Sequence, residues 1–356
     1  MTLVEEMAEF VSSSTYKALS DEAVLQLKVR VLDAIGCAIG ALSAEPVARI
    51  RAFEDDFGGS PLCTLIGGGK TSPDRAALYN GALIRYLDFN DSFLAKGETC
   101  HPSDNVAPVL AASEYSKASG KDFLTALAVA YQVQCRMSEV APVRAKGFDH
   151  TTQGAYAVAA GAARALSLSP AKAANAIAIA GTTLNALRVT RTGRLSNWKG
   201  LAYPFVSFGA LTAVFMAMKG ITGPLEVFEG NKGFMDSIAG KFEIDWEREN
   251  LEAVTRTIVK KYTTRLDLQD KANPEHSAYW PRRPDMLMKR IVRGMLPYRR
   301  PRGKSAYRNL IVFTGLPEAF KGAKTEERGF KGQKGMYVKS IKFSELSKLL
   351  GYDSKM

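Results

Sequence analysis

FDHTTQGAYAVAAGAARALSLSPAKAANAIAIA, residues 148–180, decides the fold. Alanine dominates it, and alanine has the strongest helix propensity of any residue. Ser169-Pro170 divides the run, with a capping hydroxyl followed by a proline suited to the first helical turn. The spacing predicts helices over 153–166 and 170–186, and long alanine-rich helices with short loops argue for a compact all-α domain. The same texture extends outward. Ser20 caps a helix DEAVLQLKVRVLDAIGCAIGAL, with Asp21 and Glu22 at the positive end of its dipole and Val24, Leu27, Val31 and Ile35 on one face. Further helices are predicted near 76–87, 105–118, 121–140, 204–219 and, after Gly223-Pro224, 224–230. A short hairpin or strand is expected near 61–67. The fold class is mainly α, with a compact all-α body.

The chain has 356 residues, 46% hydrophobic and 24% charged, as a soluble globular protein does. That composition excludes a disordered or collagen-like chain. Cys37, Cys63, Cys100 and Cys135 are too scattered for a disulfide framework and form no CxxC pair, so reduced thiols are expected and no metal centre is. The opening MTLVEEMAEFVSSS has neither the basic nor the apolar part of a signal peptide. VLDAIGCAIGAL, 31–42, is too short to span a membrane and carries Asp33. The expectation is a cytoplasmic protein without a membrane partner.

The net charge of +12 is unevenly placed. Residues 1–262 hold 27 basic and 27 acidic side chains, whereas residues 263–356 hold 21 and 9. A neutral body with a basic end suggests two parts with different partners. The basic end fits a polyanion, since neutralising phosphates releases counterions, and equally fits a solvated surface. Its texture differs too, with prolines and arginine clusters, and with a loop expected over Gly322–Gly335.

Three polar segments interrupt the helical body. RYLDFNDSFLAKGETCHPSDN, 85–105, places Asp88, Asp91 and His101 between apolar helices, and carboxylate with imidazole can transfer protons. KGFDHTTQG, 146–154, puts Asp149 and His150 at a helix start. LRVTRTGRLSNWKG, 187–200, packs Arg188, Arg191, Arg194 and Lys199 between alanine-rich helices, and guanidinium groups grip carboxylates in bidentate fashion. Each segment also has a structural reading, as a satisfied histidine or a solvated loop.

Three runs carry a resemblance: RYLDFNDSFLAKGETCHPSDNVAPVLA, FDHTTQGAYAVAAGAARALSLSPAKAANAIAIA and LNALRVTRTGRLSNWKGLAYPF. Together they resemble the MmgE/PrpD family, which includes 2-methylcitrate dehydratase and cis-aconitate decarboxylase. The likeness runs from about residue 5 to Tyr262. It implies an all-α main domain, a homodimer, and cofactor-independent elimination or decarboxylation on a small di- or tricarboxylate. Carried over, the catalytic positions are Asp88, His101, His150, Lys199 and Lys260, with Ser92 at a hydroxyl position of the same loop. Two histidines can divide the base and acid roles, and which takes which stays open. Asp88 is expected to orient His101. Lys199, Lys260 and arginines such as Arg188 and Arg191 are expected to anchor carboxylates.

Beyond KKY the sequence departs from that family, where a smaller α/β lid is expected. YWPRRPD, then Val292 through Pro297 to Gly303-Lys304, then NLIVFTG and YVKSIKFSELSKLLGY, resemble the archaeal-type large-subunit ribosomal protein L thirteen over about 258–356. That likeness implies a small, incomplete α/β segment that binds rRNA. Arg282, Arg283, Lys289, Arg290, Arg293, Arg299, Arg300, Arg302 and Lys304 are its candidate phosphate contacts. Tyr279 and Trp280 serve either to stack on bases or to fill a small core. The junction is Ile258-Val259-Lys260-Lys261-Tyr262, so Lys260 fits either parent. The domains expected are 1–262, a helical lyase body without its lid, and 263–356, a basic ribosomal-type segment. The functional expectation is a dehydratase-type lyase, impaired by the missing lid. The alternatives are a ribosomal rRNA-binding protein, or a chimera with no selected function.

Overall fold

A computed structural model of the chain describes residues 1–246, 248, 250–257, 286, 289, 293 and 300–311. The chain divides into two compact units, Met1–Ile258 and Val259–Met356.

The first unit is a helical body. Its elements are α1 (Leu3–Ser13), α2 (Asp21–Ala41), α3 (Glu45–Phe57), β1 (Cys63–Thr64), β2 (Lys70–Thr71), α4 (Pro73–Tyr86), β3 (Phe93–Ala95), β4 (Glu98–Cys100), α5 (Val106–Ser116), α6 (Gly120–Val140), α7 (Thr151–Ala165), α8 (Pro170–Thr183) and α9 (Trp198–Met218). The strands form two antiparallel hairpins, Cys63 opposite Thr71 and Phe93 opposite Cys100. Side chains start several helices. Thr2 and Glu5 form a reciprocal capping box on α1, Ser20 accepts from the Ala23 N–H, and Ser119 accepts from the Asp122 N–H.

The alanine-rich α7 is the central helix, packed on α5, α6, α8 and α9 and buried around nearly its whole circumference. Small residues permit this. A Cβ on Gly154 would lie 2.5 Å from the Tyr203 ring, so α7 and α9 meet there only because that side chain is absent. The same contact holds His150, just before α7, beside Tyr203 of α9.

Several expectations are corrected. Residues 224–230 form consecutive turns rather than a helix, held by the Gly230 N–H on the Glu226 carbonyl and the Phe234 N–H on Val227. α1 and α3 were not anticipated, because acidic residues mask their short apolar faces. α9 begins at Trp198 and carries Pro204 within its second turn, where 204 had been read as the start. α2 is apolar on two sides. Ala23, Leu27, Ala34 and Ala38 are buried, whereas Leu25, Val29, Leu32 and Ile39 form an exposed stripe at heptad-like spacing.

Among the described residues one helix, α9, is long and apolar enough to cross a membrane, and α2 with α3 would qualify only together, as a pair bent by 90°. The side of α9 bearing Ala202, Val206, Ala210 and Ala213 is buried within the bundle, as a core helix requires.

In the second unit the described helix is α10, Pro301–Arg308, with proline in its first turn. Arg300, Lys304 and Arg308 are exposed at four-residue spacing, and Lys289 lies 5.9 Å from the Tyr307 ring centre. Much of NLIVFTG lies outside the described residues, as do Tyr279, Trp280 and the Gly322–Gly335 stretch.

Candidate active site

The site lies where the end of α4, the β3–β4 hairpin, the start of α7 and the segment before α9 meet. α4 ends at Tyr86, and Asp88 follows in the left-handed region at φ 57°. That conformation is uncommon outside glycine, and aspartate is among the residues that tolerate it. Asp88 pairs with Arg85 at 2.8 Å and accepts from the Lys199 Nζ at 3.1 Å. Burial pulls its carboxyl pKa up, but the attraction of Arg85 and Lys199 outweighs this and leaves it below the ordinary value.

His101 precedes a short turn of 3-10 helix, Pro102–Asn105. Its Nδ1 is 2.7 Å from the main-chain carbonyl of Asp91 and 3.3 Å from the Ser92 Oγ. The expected orienting contact from Asp88 is therefore replaced by one from the Asp91 backbone, because Asp88 is drawn to the two cations instead. Burial, reinforced by the Arg85 charge, depresses His101 to a pKa of about 3. His150 faces it, ring centres 5.5 Å apart and edge to face. Burial, with Arg191 and His101 next in effect, holds His150 well below the usual imidazole range. Among the described residues neither ring nitrogen of His150 has a hydrogen-bond partner, although its Nε2 is 3.5 Å from Asp149.

Asp149 gathers the arginine segment. Its fully buried carboxylate takes the Arg191 Nε at 2.6 Å and the Thr190 hydroxyl at 3.2 Å, and Arg188 stands 3.8 Å away. Arg191 also donates to the Lys199 carbonyl, while its Nη2 is buried without a partner. The structure thus brings together Asp88, Ser92, His101, His150, Arg188, Arg191 and Lys199. Lys260 lies outside the described residues.

Sequence reading passed over Arg85, Asp104 and Tyr203 here. Arg85 is nearly buried and reaches Asp88, Asn90 at 2.8 Å and Asp104 at 3.9 Å. Asp104 accepts from Asn90 at 2.7 Å, and burial pushes its pKa up to about 6. Tyr203 lies nearly parallel to His150, with its hydroxyl 3.0 Å from Asn105.

Among the described residues no group of three or more His, Cys, Asp or Glu side chains is placed to hold a metal ion. The four cysteines are free and buried. A cavity of about 180 Å³ has Lys199, Tyr86 and Asn197 in its wall. A larger one, about 530 Å³, lies between the end of α8 and the 224–238 turns and touches none of the candidate residues.

Of the second unit's candidates, Lys289, Arg293, Arg300 and Lys304 are described; Arg300 stands just before α10 and Lys304 on it, both exposed. Arg302 lies on that helix. Arg282, Arg283, Arg290 and Arg299 lie outside the described residues.

Two facing imidazoles, a lysine and two arginines are gathered in a mainly α body, groups able to move protons and to hold an anion. The chain belongs to the MmgE/PrpD family: the MmgE/PrpD N-terminal domain matches residues 5–247. Residues 252–319 match Ribosomal protein L13. The 2-methylcitrate dehydratase, mitochondrial, of Yarrowia lipolytica is 27% identical over 261 residues, 69% of this chain and 50% of that protein. The large ribosomal subunit protein uL13 of Methanosphaera stadtmanae is 40% identical over 95 residues, 26% of this chain and 66% of its own length. The uL13 of Archaeoglobus fulgidus is 39% identical over 85 residues, 23% and 54%. The chain therefore spans between half and about two thirds of the curated relatives it matches.

Proposed function

We propose that the helical body is a carbon–oxygen lyase of the dehydratase type acting on a small di- or tricarboxylate such as 2-methylcitrate. One observation carries the reading: His150 and the Arg191 Nη2 are buried without partners beside His101. An unpaired buried polar group costs about 1–3 kcal/mol, a cost a substrate carboxylate or hydroxyl would relieve. Arg191 and Lys199 then hold carboxylates, with Asp88 fixing the lysine. One imidazole removes a carbon-bound proton, the carbon–oxygen bond breaks, and the other delivers a proton so that hydroxide departs as water. The carboxylates of the bound substrate raise the imidazole pKa values towards the range such a donor needs. Decarboxylation of the same class of substrate is the variant reading, and no cofactor enters either.

The exposed stripe of α2 supports a homodimer through the helical body. The four free, buried cysteines support a reducing compartment such as the cytoplasm. The division at 1–262 and 263–356 follows the charge step. The second reading, rRNA binding through 263–356, is favoured by the uL13 likeness and by the basic excess of that segment. A chimera without a selected function is the third, and reads spanning codons 255–265 of the natural transcript decide it.

The test is turnover of 2-methylcitrate and of cis-aconitate by the full chain. Activity that disappears in His101→Ala supports the lyase. No turnover and no saturable binding of either acid overturns it.

A further inference from the structure

We infer that Asp91 is the positioning residue for His101, fixing the Nδ1–H tautomer so that Nε2 presents its lone pair as the base. The base role rests on the lyase reading, whereas the tautomer does not.

The geometry brackets the imidazole from both sides. The Asp91 carbonyl lies 2.7 Å from the His101 Nδ1. A carbonyl oxygen only accepts, so Nδ1 must carry the proton, and in a neutral ring Nε2 is then bare. Ser92, whose hydroxyl is 3.3 Å from the same nitrogen, is free to accept a share of that proton. The carboxylate of Asp91 points the other way and is fully buried. It takes the Ser103 N–H at 2.9 Å and the Tyr131 hydroxyl at 2.9 Å, with the Arg30 Nε at 3.7 Å. One residue therefore ties itself to the ring of 101 and to the backbone of 103. Arg30 in turn donates to Thr257, which anchors the bracket to the end of the first unit.

The contrast with His150 assigns the roles. No carbonyl fixes either of its nitrogens, so it is free to accept or release a proton as substrate binds. His101 is locked with one nitrogen open, as a dedicated base is.

The chain has only three histidines, His101, His150 and His276, so nitrogen-15 spectra of the full chain resolve each ring once His276→Gln and His150→Gln assign them. The expected result is a single tautomer at His101, Nδ1 protonated and Nε2 not. An Nε2–H tautomer there overturns the inference. In Tyr131→Phe and Asp91→Asn, with circular dichroism matching the parent, the single pattern is expected to give way to an averaged one. Should Asp91→Asn not fold, Tyr131→Phe decides alone. An unchanged pattern in the folded variants shows that the carboxylate does not position the ring. These spectra stand without turnover, so a correct tautomer in a chain inactive on every carboxylate would sink the lyase reading and leave the bracket in place.

Discussion

His101 and His150 meet edge to face at 5.5 Å inside the helical body, and burial keeps both neutral. A histidine whose folded pKa is depressed stabilises the fold above its unfolded value. That contribution is lost as pH falls, for His101 between 6.5 and about 3. Each such group costs up to about 1.4 kcal/mol per pH unit within its window. Asp104 acts in the opposite sense. Its pKa is raised from 3.8 to about 6, so its contribution is full at low pH and lost as pH rises through that window. The two partly cancel between about pH 4 and 6. Urea denaturation at pH 4, 5, 6 and 7 is therefore expected to show a shallow acid slope in the parent, a shallower one in His101→Gln and a steeper one in Asp104→Asn. Equal slopes in all three chains would contradict this electrostatic account.

Arg85 supplies the charge that holds this cluster together. It is nearly buried and serves Asp88, Asn90 and Asp104 at once. Removing one member of a buried ion pair leaves the other uncompensated, at about 3–5 kcal/mol. Arg85→Met is expected to lose stability in that range in chemical denaturation. Asp104→Asn in the same background should recover part of it, because the stranded carboxylate is then gone.

Much of this arrangement was legible in the sequence, and the reasons differ by element. Ser20 and Ser169-Pro170 announced α2 and α8 because capping is local chemistry. His101, His150 and Lys199 stood out because polar residues interrupt alanine-rich runs. The partner of His101 did not, because the group that holds it is a backbone carbonyl, which every residue carries. The family resemblance made Asp88 the expected orienting acid. Its left-handed backbone turns the carboxylate to Arg85 and Lys199, and no pattern of residue types encodes that. Arg85 and Tyr203 were invisible because each reads as an ordinary position on an amphipathic helix until the opposing helix is known.

The α7–α9 contact makes a sharper demand. Gly154→Ala places a methyl 2.5 Å from the Tyr203 ring, and the ring is boxed in by Asn105 and Gln134. Overpacking of this kind costs about 1–3 kcal/mol. The expected outcome is a lowered melting temperature and a shifted His150 signal, because the imidazole lies against the same ring. Gly36→Ala on α2 is the control, since its Cβ meets nothing within 4 Å. It should leave the His150 signal at the parent's position and, if anything, raise the melting temperature slightly, since alanine is favoured over glycine inside a helix by about 0.5–1 kcal/mol.

Lys199 separates stability from function. Its ion pair with Asp88 is partly exposed on both sides, and exposed pairs contribute about 0–1 kcal/mol. Lys199→Met should therefore melt within a few degrees of the parent. On the proposed lyase function it should also lose carboxylate turnover at least as completely as it loses substrate binding, measured as kcat and KM on 2-methylcitrate. A variant with full turnover would remove Lys199 from the site.

The basic end yields the prediction least dependent on the enzyme. Arg300, Lys304 and Arg308 line one side of α10, exposed and evenly spaced. Each phosphate they neutralise releases counterions, so affinity for single-stranded RNA falls with salt at about −0.7 in log–log slope per contact. The full chain is expected to bind an rRNA fragment with a steep negative slope. Replacing all three residues by alanine should shallow it by about 2, the sum of three such contacts. The helical body supplies no comparable charge, because residues 1–262 carry equal numbers of acids and bases. Filter binding from 50 to 400 mM salt, on the parent and the triple variant, measures both slopes. Identical slopes would mean that this face of α10 meets no phosphate, and a flat response in the parent would leave the basic segment as a solvated surface.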